Sequence, residues 1–160
     1  MTILSKKDVR KCYVNWITFA LGCQNMERMM APAFVRMFGL VSEKLYDSKE
    51  EQQKLLDRHT QFFNTEEAFG SIIPGVILGM EEKRAEGEEI PDELIQSTKT
   101  ALMGPFAGMG DSLIGGTLRP ILCSIAMGLS ASTGSIAGPL FYCVAWHYHS
   151  RNLAIIFKRL

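Results

Sequence analysis

The sequence predicts an all-α fold, an integral membrane helical protein with a Gly/Pro-rich broken-helix segment. Apolar residues recur at steps of three and four along much of the chain, which is the period of a helix. Charged residues are dense from Glu43 to Glu93, whereas none lies between Pro120 and Ser150. Charge-free stretches of this length are typical of membrane helices. The alternative is a hydrophobic hairpin inside a soluble oligomer.

The length allows one domain, residues 1–160. Within it we predict an amphipathic, charged part of about residues 1–99 and a membrane-embedded part of about residues 100–160. Lys plus Arg and Asp plus Glu both count 17, so the formal net charge is zero. Nucleic acid is therefore not expected as a partner, because phosphate binding needs a basic excess.

Helix-start signals mark the elements of the charged part. Ser5, with Asp8 three residues on, is a weak capping box that predicts a helix start. The uncharged run that follows, Cys12 to Met26, is 15 residues long. A bilayer-spanning helix needs ~20 residues, so this run predicts a partly immersed or steeply packed helix. Pro32 is expected to kink or restart the helix.

A second capping box, Ser48 with Glu51, opens an amphipathic helix that should break at Asn64-Thr65. His59 lies on its apolar side, where a histidine is more often packed and hydrogen-bonded than reactive. We therefore do not expect phosphotransfer at His59. The apolar side comprises Leu55, Leu56, His59, Phe62 and Phe63.

Glycines and prolines interrupt the next apolar segment, Ala68 to Met80, and the charged run from Glu81 to Glu89 predicts a solvated connection. Pro91, followed by acidic residues, starts another helix that should end at Gly104-Pro105. Beyond it we predict two helices, of residues 112–131 and 136–160, joined at Thr133-Gly134. Near the end of the second helix, Trp146 and Tyr148 suit an aromatic interfacial belt. No metal site is expected at His147 and His149, which point to different sides of that helix.

Four of the nine residues from Met103 to Asp111 are glycine or proline. Such a segment disrupts a membrane helix unless protein or a polar cavity satisfies the freed backbone groups. We predict a non-helical turn, buried between helices or subunits, with Asp111 capping the next helix and Arg119 as its possible partner. The alternative is a plain helix–helix corner. The key residues are Gly104, Pro105, Gly108, Gly110, Asp111 and Arg119.

Several motifs in order resemble one family. Met103 to Asp111, with Gly116 to Pro120, resembles the signature of the IID component of the mannose/fructose/sorbose family of the bacterial phosphoenolpyruvate-dependent sugar phosphotransferase system. Ser5 to Arg10 resembles the opening of that family. Asn25 to Met29 resembles its Asn-Tyr-Glu-Arg-Met segment, and His59 to Thr65 its His-x-x-Phe-Phe-Asn-Thr segment.

The resemblance implies a multi-pass subunit of the bacterial inner membrane that joins a IIC subunit, contacts lipid and belongs to an oligomer. Together the two subunits translocate a hexose, which the IIA and IIB components phosphorylate. The chain itself would be a translocation subunit rather than an enzyme, with no phosphorylation site, cofactor or metal. The basic N-terminus, Lys6 to Lys11, favours a cytoplasmic start. Family members continue beyond the point matched by Leu160, so we expect a C-terminally incomplete domain.

The resemblance also favours a substrate-binding role for Asn25, Glu27 and Arg28, because charged and amide groups form hydrogen bonds with the hydroxyls of a polyol. The alternative is an interfacial salt bridge without a substrate role. Two departures from the family, Gln24 for Trp and Met26 for Tyr, would weaken aromatic stacking on a sugar. The alternative function is a truncated, transport-incompetent membrane interaction protein.

Overall fold

The computed structural model describes residues 3–157, and of Thr133 and residues 149–157 it describes the backbone alone. Within this range the chain is helical, and its one isolated bridge joins Met29 and Phe63. The predicted all-α class is confirmed. The helices are α1 (Lys6–Phe19), α2 (Ala31–Gly39), α3 (Ser42–Leu45), α4 (Lys49–Arg58), α5 (Ile72–Ala85), α6 (Asp92–Gly110), α7 (Arg119–Thr133) and α8 (Ala137–Phe157). A 3-10 turn (Phe69–Ser71) precedes α5, and a π-helix (Asp111–Leu118) joins α6 to α7.

The two predicted capping boxes form hydrogen bonds at the starts of their helices. The Ser5 hydroxyl accepts a hydrogen bond from the Asp8 amide at 3.3 Å, while the Asp8 carboxylate accepts one from the Ser5 amide at 3.0 Å. The Ser48 hydroxyl accepts from the Glu51 amide at 3.2 Å and caps α4. Pro32 lies in the first turn of α2, where no helical partner for its missing N–H is needed.

The main hydrophobic core lies in the charged part of the sequence. Trp16 of α1 is fully buried and meets Phe34 and Phe63 edge-on, with ring centroids 5.3 and 5.9 Å apart. The indole N–H donates to the Glu67 carbonyl at 2.9 Å, so this large side chain is buried without an unsatisfied donor. Fully buried members of the core include Cys12, Trp16, Phe34, Met37, Phe38, Leu55, Phe63, Ile73, Ile77 and Ile95.

The predicted solvated connection from Glu81 to Glu89 is wrong in its first half. Helix α5 continues to Ala85, and the Glu81 side chain is fully buried. The glycines and proline that precede it do not stop the helix. Pro74 is the third residue of α5, and the first four N–H groups of a helix have no helical acceptor.

The predicted end of a helix at Gly104-Pro105 is also wrong. Helix α6 passes through Pro105 to Gly110, and the chain stays helical to Thr133 by way of the π-helix. The irregularity predicted for this segment therefore takes the form of a wider helical turn instead of a non-helical turn. Packing supports the helix here, because the Phe106 ring lies 5.7 Å from that of Phe69.

Helices α7 and α8 form a hairpin, as predicted. Gly134 ends α7 in the left-handed conformation, with φ of 60°, which suits glycine. A Cβ atom on Gly138 would overlap the carbonyl of Ala126 and the hydroxyl of Ser130, so the two helices touch there through a glycine. The last predicted helical residues, 158–160, lie outside the described range.

One described helical stretch, Asp92–Ser132, is long and apolar enough to cross a membrane, and only 11% of its most apolar window is buried within the chain. The hairpin that follows from it is similarly exposed. The uncovered apolar side chains of the π-helix and the hairpin include Leu113, Ile121, Ile125, Met127, Leu140 and Val144. A lipid or protein environment is needed to cover such a surface.

Candidate functional site

A junction of two non-helical segments lies beside the core. The Met30 amide donates to the Phe63 carbonyl at 2.8 Å, and the Phe63 amide donates to the Arg28 carbonyl at 3.3 Å. These two bonds form the parallel bridge between Met29 and Phe63. The fold thereby joins the Asn25–Met29 and His59–Thr65 motifs, which are about 34 positions apart in the sequence.

Asn25 shapes the first of these segments. Its side-chain oxygen accepts hydrogen bonds from the amides of Glu27, at 3.2 Å, and Arg28, at 2.8 Å. Glu27 and Arg28 form an ion pair at 3.6 Å, with side chains 81% and 48% exposed. An exposed pair of this kind contributes little to stability, and both side chains stay open to a ligand. The segment follows α1 as a loop, since that helix ends at Phe19.

The second segment connects the junction to the Gly/Pro-rich part of the chain. Phe63 is fully buried, with its ring 4.7 Å from that of Phe34. The next amide, of Asn64, donates to the Met103 sulfur at 3.2 Å. The Met26 side chain is 97% exposed. The junction therefore has a rigid inner side and an open outer side.

Close backbone approach occurs at Gly110, where a Cβ atom would lie 2.6 Å from Cβ of Glu66. At Gly104 and Gly108, by contrast, such a Cβ has no heavy atom of the described residues within 4 Å, apart from the chain neighbours and the backbone of its own helix. Glu66 is buried, and its carboxylate accepts from the Phe69 amide at 2.6 Å. Burial raises the pKa of the Glu66 carboxyl, although the Phe69 amide opposes the rise. No sequence signal had singled out this residue.

Asp111 and Arg119 take different roles from those predicted. Asp111 lies within continuous helix, at the C-terminal end of α6, so it does not cap a new helix. The nearest carboxylate to Arg119 is that of Glu67, at 3.9 Å, and its guanidinium lies 5.1 Å from the Trp146 ring centroid. The predicted partnership of Arg119 with Asp111 is wrong because the intervening helical turns separate them.

A buried ionic cluster ties three helices together behind the junction. One oxygen of Glu81 accepts from Arg58 Nε and from His59 Nε2, each at 2.9 Å. Arg58 also reaches Asp92 at the start of α6, at 2.7 Å. Burial of such charges is tolerated only when they are paired and hydrogen-bonded. The cluster therefore fixes the relative positions of α4, α5 and α6.

His59 is packed and hydrogen-bonded, as expected. Its ring stacks on Phe38 and Phe34, with centroids 4.1 and 5.6 Å away. Burial lowers the pKa of His59 to about 4, because the hydrogen bond to Glu81 offsets only part of the desolvation. The neutral ring donates through Nε2 to the carboxylate, and the ammonium of Lys99 lies 3.4 Å from Nδ1.

No cluster of three or more His, Cys, Asp or Glu side chains that could hold a metal occurs in the described part of the chain. His147 is exposed, and the side chain of His149 lies outside the described residues. The four cysteines are unpaired: Cys12 is buried, Cys23 and Cys123 are half-buried, and Cys143 is exposed.

The fold and its uncovered apolar hairpin define a helical membrane protein, with a polar junction set against a small core. Residues 3–158 match the model of the IID component of the mannose/fructose/sorbose family of the sugar phosphotransferase system. The chain belongs to this family.

Characterised relatives agree with this assignment. The chain is 42% identical to a sorbose-specific IID component of Lacticaseibacillus casei, over 91% of this chain and 51% of that protein. It is 37% identical to the mannose-specific IID component of Escherichia coli K12, over 90% of this chain and 50% of that protein. The chain thus spans about half the length of these relatives.

A solved structure has the same fold. A chain in the cryo-electron microscopy structure of the mannose transporter ManYZ with microcin E492 superposes with a TM-score of 0.92 at 32% identity. The match covers 99% of this chain and 58% of that one. The long α6–π–α7 stretch and the hairpin therefore lie within the part of the fold that the two chains share.

Proposed function

We propose that this chain acts with a IIC membrane subunit to translocate a hexose, which the IIA and IIB components phosphorylate. Family membership supports this role, and so does the relationship to a mannose transporter. In this proposal α6, α7 and α8 give the chain several passes through the inner membrane.

The bridge between Met29 and Phe63 is the observation that carries the proposal. It brings two separate family motifs to one place and ties them, through Asn64 and Met103, to the Gly/Pro-rich segment. A binding site is built from residues of several segments that meet at one place. Three motifs that served only to pack the core would not need to meet, so their convergence supports a binding site here.

At this junction Asn25, Glu27 and Arg28 contact the sugar hydroxyls. The oxygen of Asn25 is used by its own loop, so its amide N–H groups are the ones left to donate. Glu27 accepts from paired hydroxyls and Arg28 donates to them, with geometry that suits a polyol. Since Met26 provides no aromatic platform, hydrogen bonds rather than stacking carry the recognition.

Gly104, Pro105 and Gly108 lie along the uncovered side of α6 and contribute to the partner contact and transport path. Gly104 and Gly108 are four residues apart, so they share one face, and on that face a Cβ at either position would meet no other described part of the chain. Small residues at this spacing let a second membrane helix approach closely. A IIC helix packed there would cover the exposed part of α6.

The test is complementation. Cells that contain the IIC, IIA and IIB components but lack a IID subunit would receive this chain, and uptake of a labelled hexose and its phosphorylation would be measured. The proposal predicts restored uptake. If the chain assembles with IIC in the membrane and uptake stays at background, the alternative of a transport-incompetent interaction protein replaces it.

A further inference from the structure

The exposed side of α1 begins with an unusual group of cations. Lys6, Lys7, Arg10 and Lys11 are all exposed within the first six residues of the helix. Among the ion pairs of the described residues, none involves these four side chains. We name this group, with the α1 surface that carries it, the basic face.

The one acid of α1 does not neutralise the basic face. Asp8 is turned inward, where it caps the helix with Ser5 and binds the ammonium of Lys44 at 2.7 Å. The hydrogen bond from Lys44, and after it the one from Ser5, lower the pKa of Asp8 to about 2. The Asp8 carboxylate is therefore occupied by contacts within the fold. The four cations therefore face outward and have no ion-pair partner among the described residues.

Helix stability does not explain the basic face. The N-terminal end of a helix carries the positive end of the backbone dipole, so cations in the first turns are unfavourable there. Fully exposed lysine and arginine side chains also add nothing to the core. Four cations at a position that destabilises their own helix indicate a binding partner outside the chain.

Beyond Lys11 the exposed surface is uncharged and includes apolar side chains, with Val14 on the same side of α1 and Leu21 in the turn after the helix. No charged residue occurs between Cys12 and Met26, yet Val14 and Leu21 are about half exposed and Met26 almost wholly so. Val14 is three residues beyond Lys11, a rise of about 4.5 Å along the helix. Lysine and arginine side chains are long enough to span such a distance and place their charges at a bilayer surface.

We propose that the basic face of α1 binds the headgroups of anionic phospholipids, with Val14 and Leu21 entering the adjoining hydrocarbon. The sequence of cations followed by exposed apolar residues matches the boundary between headgroups and acyl chains. A soluble acidic protein would complement the cations but would leave the apolar continuation unmatched. The chain belongs to a membrane transporter family, so lipid is present at its surface.

The test uses the purified full chain in a neutral detergent. Short-chain phosphatidylglycerol or phosphatidylcholine is titrated in, and thermal unfolding is followed by tryptophan fluorescence, for which the buried Trp16 is a reporter. We expect saturable stabilisation by phosphatidylglycerol alone. In the variant Lys7→Gln/Arg10→Gln/Lys11→Gln its apparent affinity should fall about a hundredfold, since each cation near an anionic surface contributes several-fold. Because these side chains are exposed and oppose the helix dipole, the variant without lipid should be at least as stable as the wild type.

The matched control is Lys49→Gln/Lys54→Gln/Lys83→Gln, which removes three exposed cations that already have carboxylate partners. It should retain the wild-type affinity for phosphatidylglycerol. Three results overturn the proposal: equal stabilisation by both lipids, equal loss of affinity in the control, or unchanged affinity in the basic-face variant.

Two further probes complete the test. Stabilisation by inorganic phosphate equal to that by phosphatidylglycerol would assign the face to a free anion, and saturable binding of polyglutamate without binding of the lipid would assign it to a soluble acidic protein.

Discussion

Glu81 shows how one residue can hold three helices in place. It lies on α5, accepts from Arg58 and His59 at the end of α4, and through Arg58 it is linked to Asp92 on α6. Both Glu81 and Arg58 are almost completely buried. The contribution of such a pair to the free energy of unfolding is small. Removing one partner costs more, because the other buried charge then loses its counter-charge.

Replacing Glu81 by Gln should therefore destabilise the chain by about 1.5–3 kcal/mol, because the buried Arg58 guanidinium loses its buried carboxylate and keeps only the half-exposed Asp92 as a charged partner. The measurement is the free energy of unfolding in detergent, obtained by denaturant titration. The control is Glu50→Gln, which removes one partner of an exposed pair with Lys54 and should leave the unfolding midpoint unchanged. Equal effects of the two variants would show that Glu81 is not a buried charge.

His59 should make stability depend on pH. Its pKa of about 4 in the fold is below the ordinary value of 6.5, so the unfolded chain binds the proton more readily. The contribution of His59 is complete above pH 6.5, and it declines as the pH falls towards 4, by about 3 kcal/mol over that window.

The pH prediction is checked by unfolding the wild type and His59→Gln between pH 4 and 7. Subtracting the two profiles isolates His59 from Glu66, whose raised pKa acts in the opposite direction. A difference that does not vary with pH would contradict a buried, neutral His59.

The sequence placed His59 correctly but missed its partners. An apolar face at helical spacing was enough to predict a packed histidine. Glu81 and Lys99 lie on two other helices, however, 22 and 40 positions away in the sequence, and no local pattern connects them with His59. Composition assigned Glu81 to solvent because its neighbours in the sequence are charged. Its burial is decided by tertiary contacts, and one sequence without an assembled fold does not contain them.

At the scale of elements, the passage from α6 through the π-helix to α7 differs most from the prediction. Three glycines and one proline in residues 103–111 favoured a turn there. The helix continues because Gly110 admits the Glu66 side chain and Phe106 packs on Phe69, so tertiary contacts outweigh local propensity. The π-helix takes up the remaining irregularity. Such π-helical turns are frequent at functional sites.

Two neighbouring glycines allow a matched test of this passage. Gly110→Ala forces a methyl group against Glu66 and should destabilise the chain by about 1–3 kcal/mol, as overpacking does. Gly108→Ala meets open space and should stabilise the helix by up to about 1 kcal/mol. Thermal unfolding of the chain without a partner gives both values. The packing described at Gly110 is wrong if the two variants behave alike.

At the scale of the whole molecule, the chain combines a small aromatic and ionic core with a long, uncovered apolar hairpin. The core lies mainly in the first 99 residues, and the hairpin lies in the rest. The division into a charged part and a membrane-embedded part stays a prediction. How deep each part enters the bilayer stays a prediction. The junction of the Asn25–Met29 and His59–Thr65 motifs lies within the first part and touches the second through Met103.

The central claim is that this junction contacts the transported sugar, and the variant Glu27→Gln tests it most directly. Glu27 is exposed and its ion pair with Arg28 is weak, so the change should not harm folding. Hexose uptake would be measured with the complete transporter. Subunit levels would be compared in membranes washed with alkaline carbonate, which retain an integral membrane protein.

We predict that Glu27→Gln stays in the washed membranes at the wild-type level. Its apparent affinity for the hexose should fall about ten- to a hundredfold, the effect of losing one hydrogen bond to a charged group. Asn25→Ala should fall in parallel, and Glu50→Gln, an exposed glutamate far along the sequence, should not. Wild-type uptake kinetics in both junction variants, at equal subunit levels, would contradict the account and remove the junction from the sugar path.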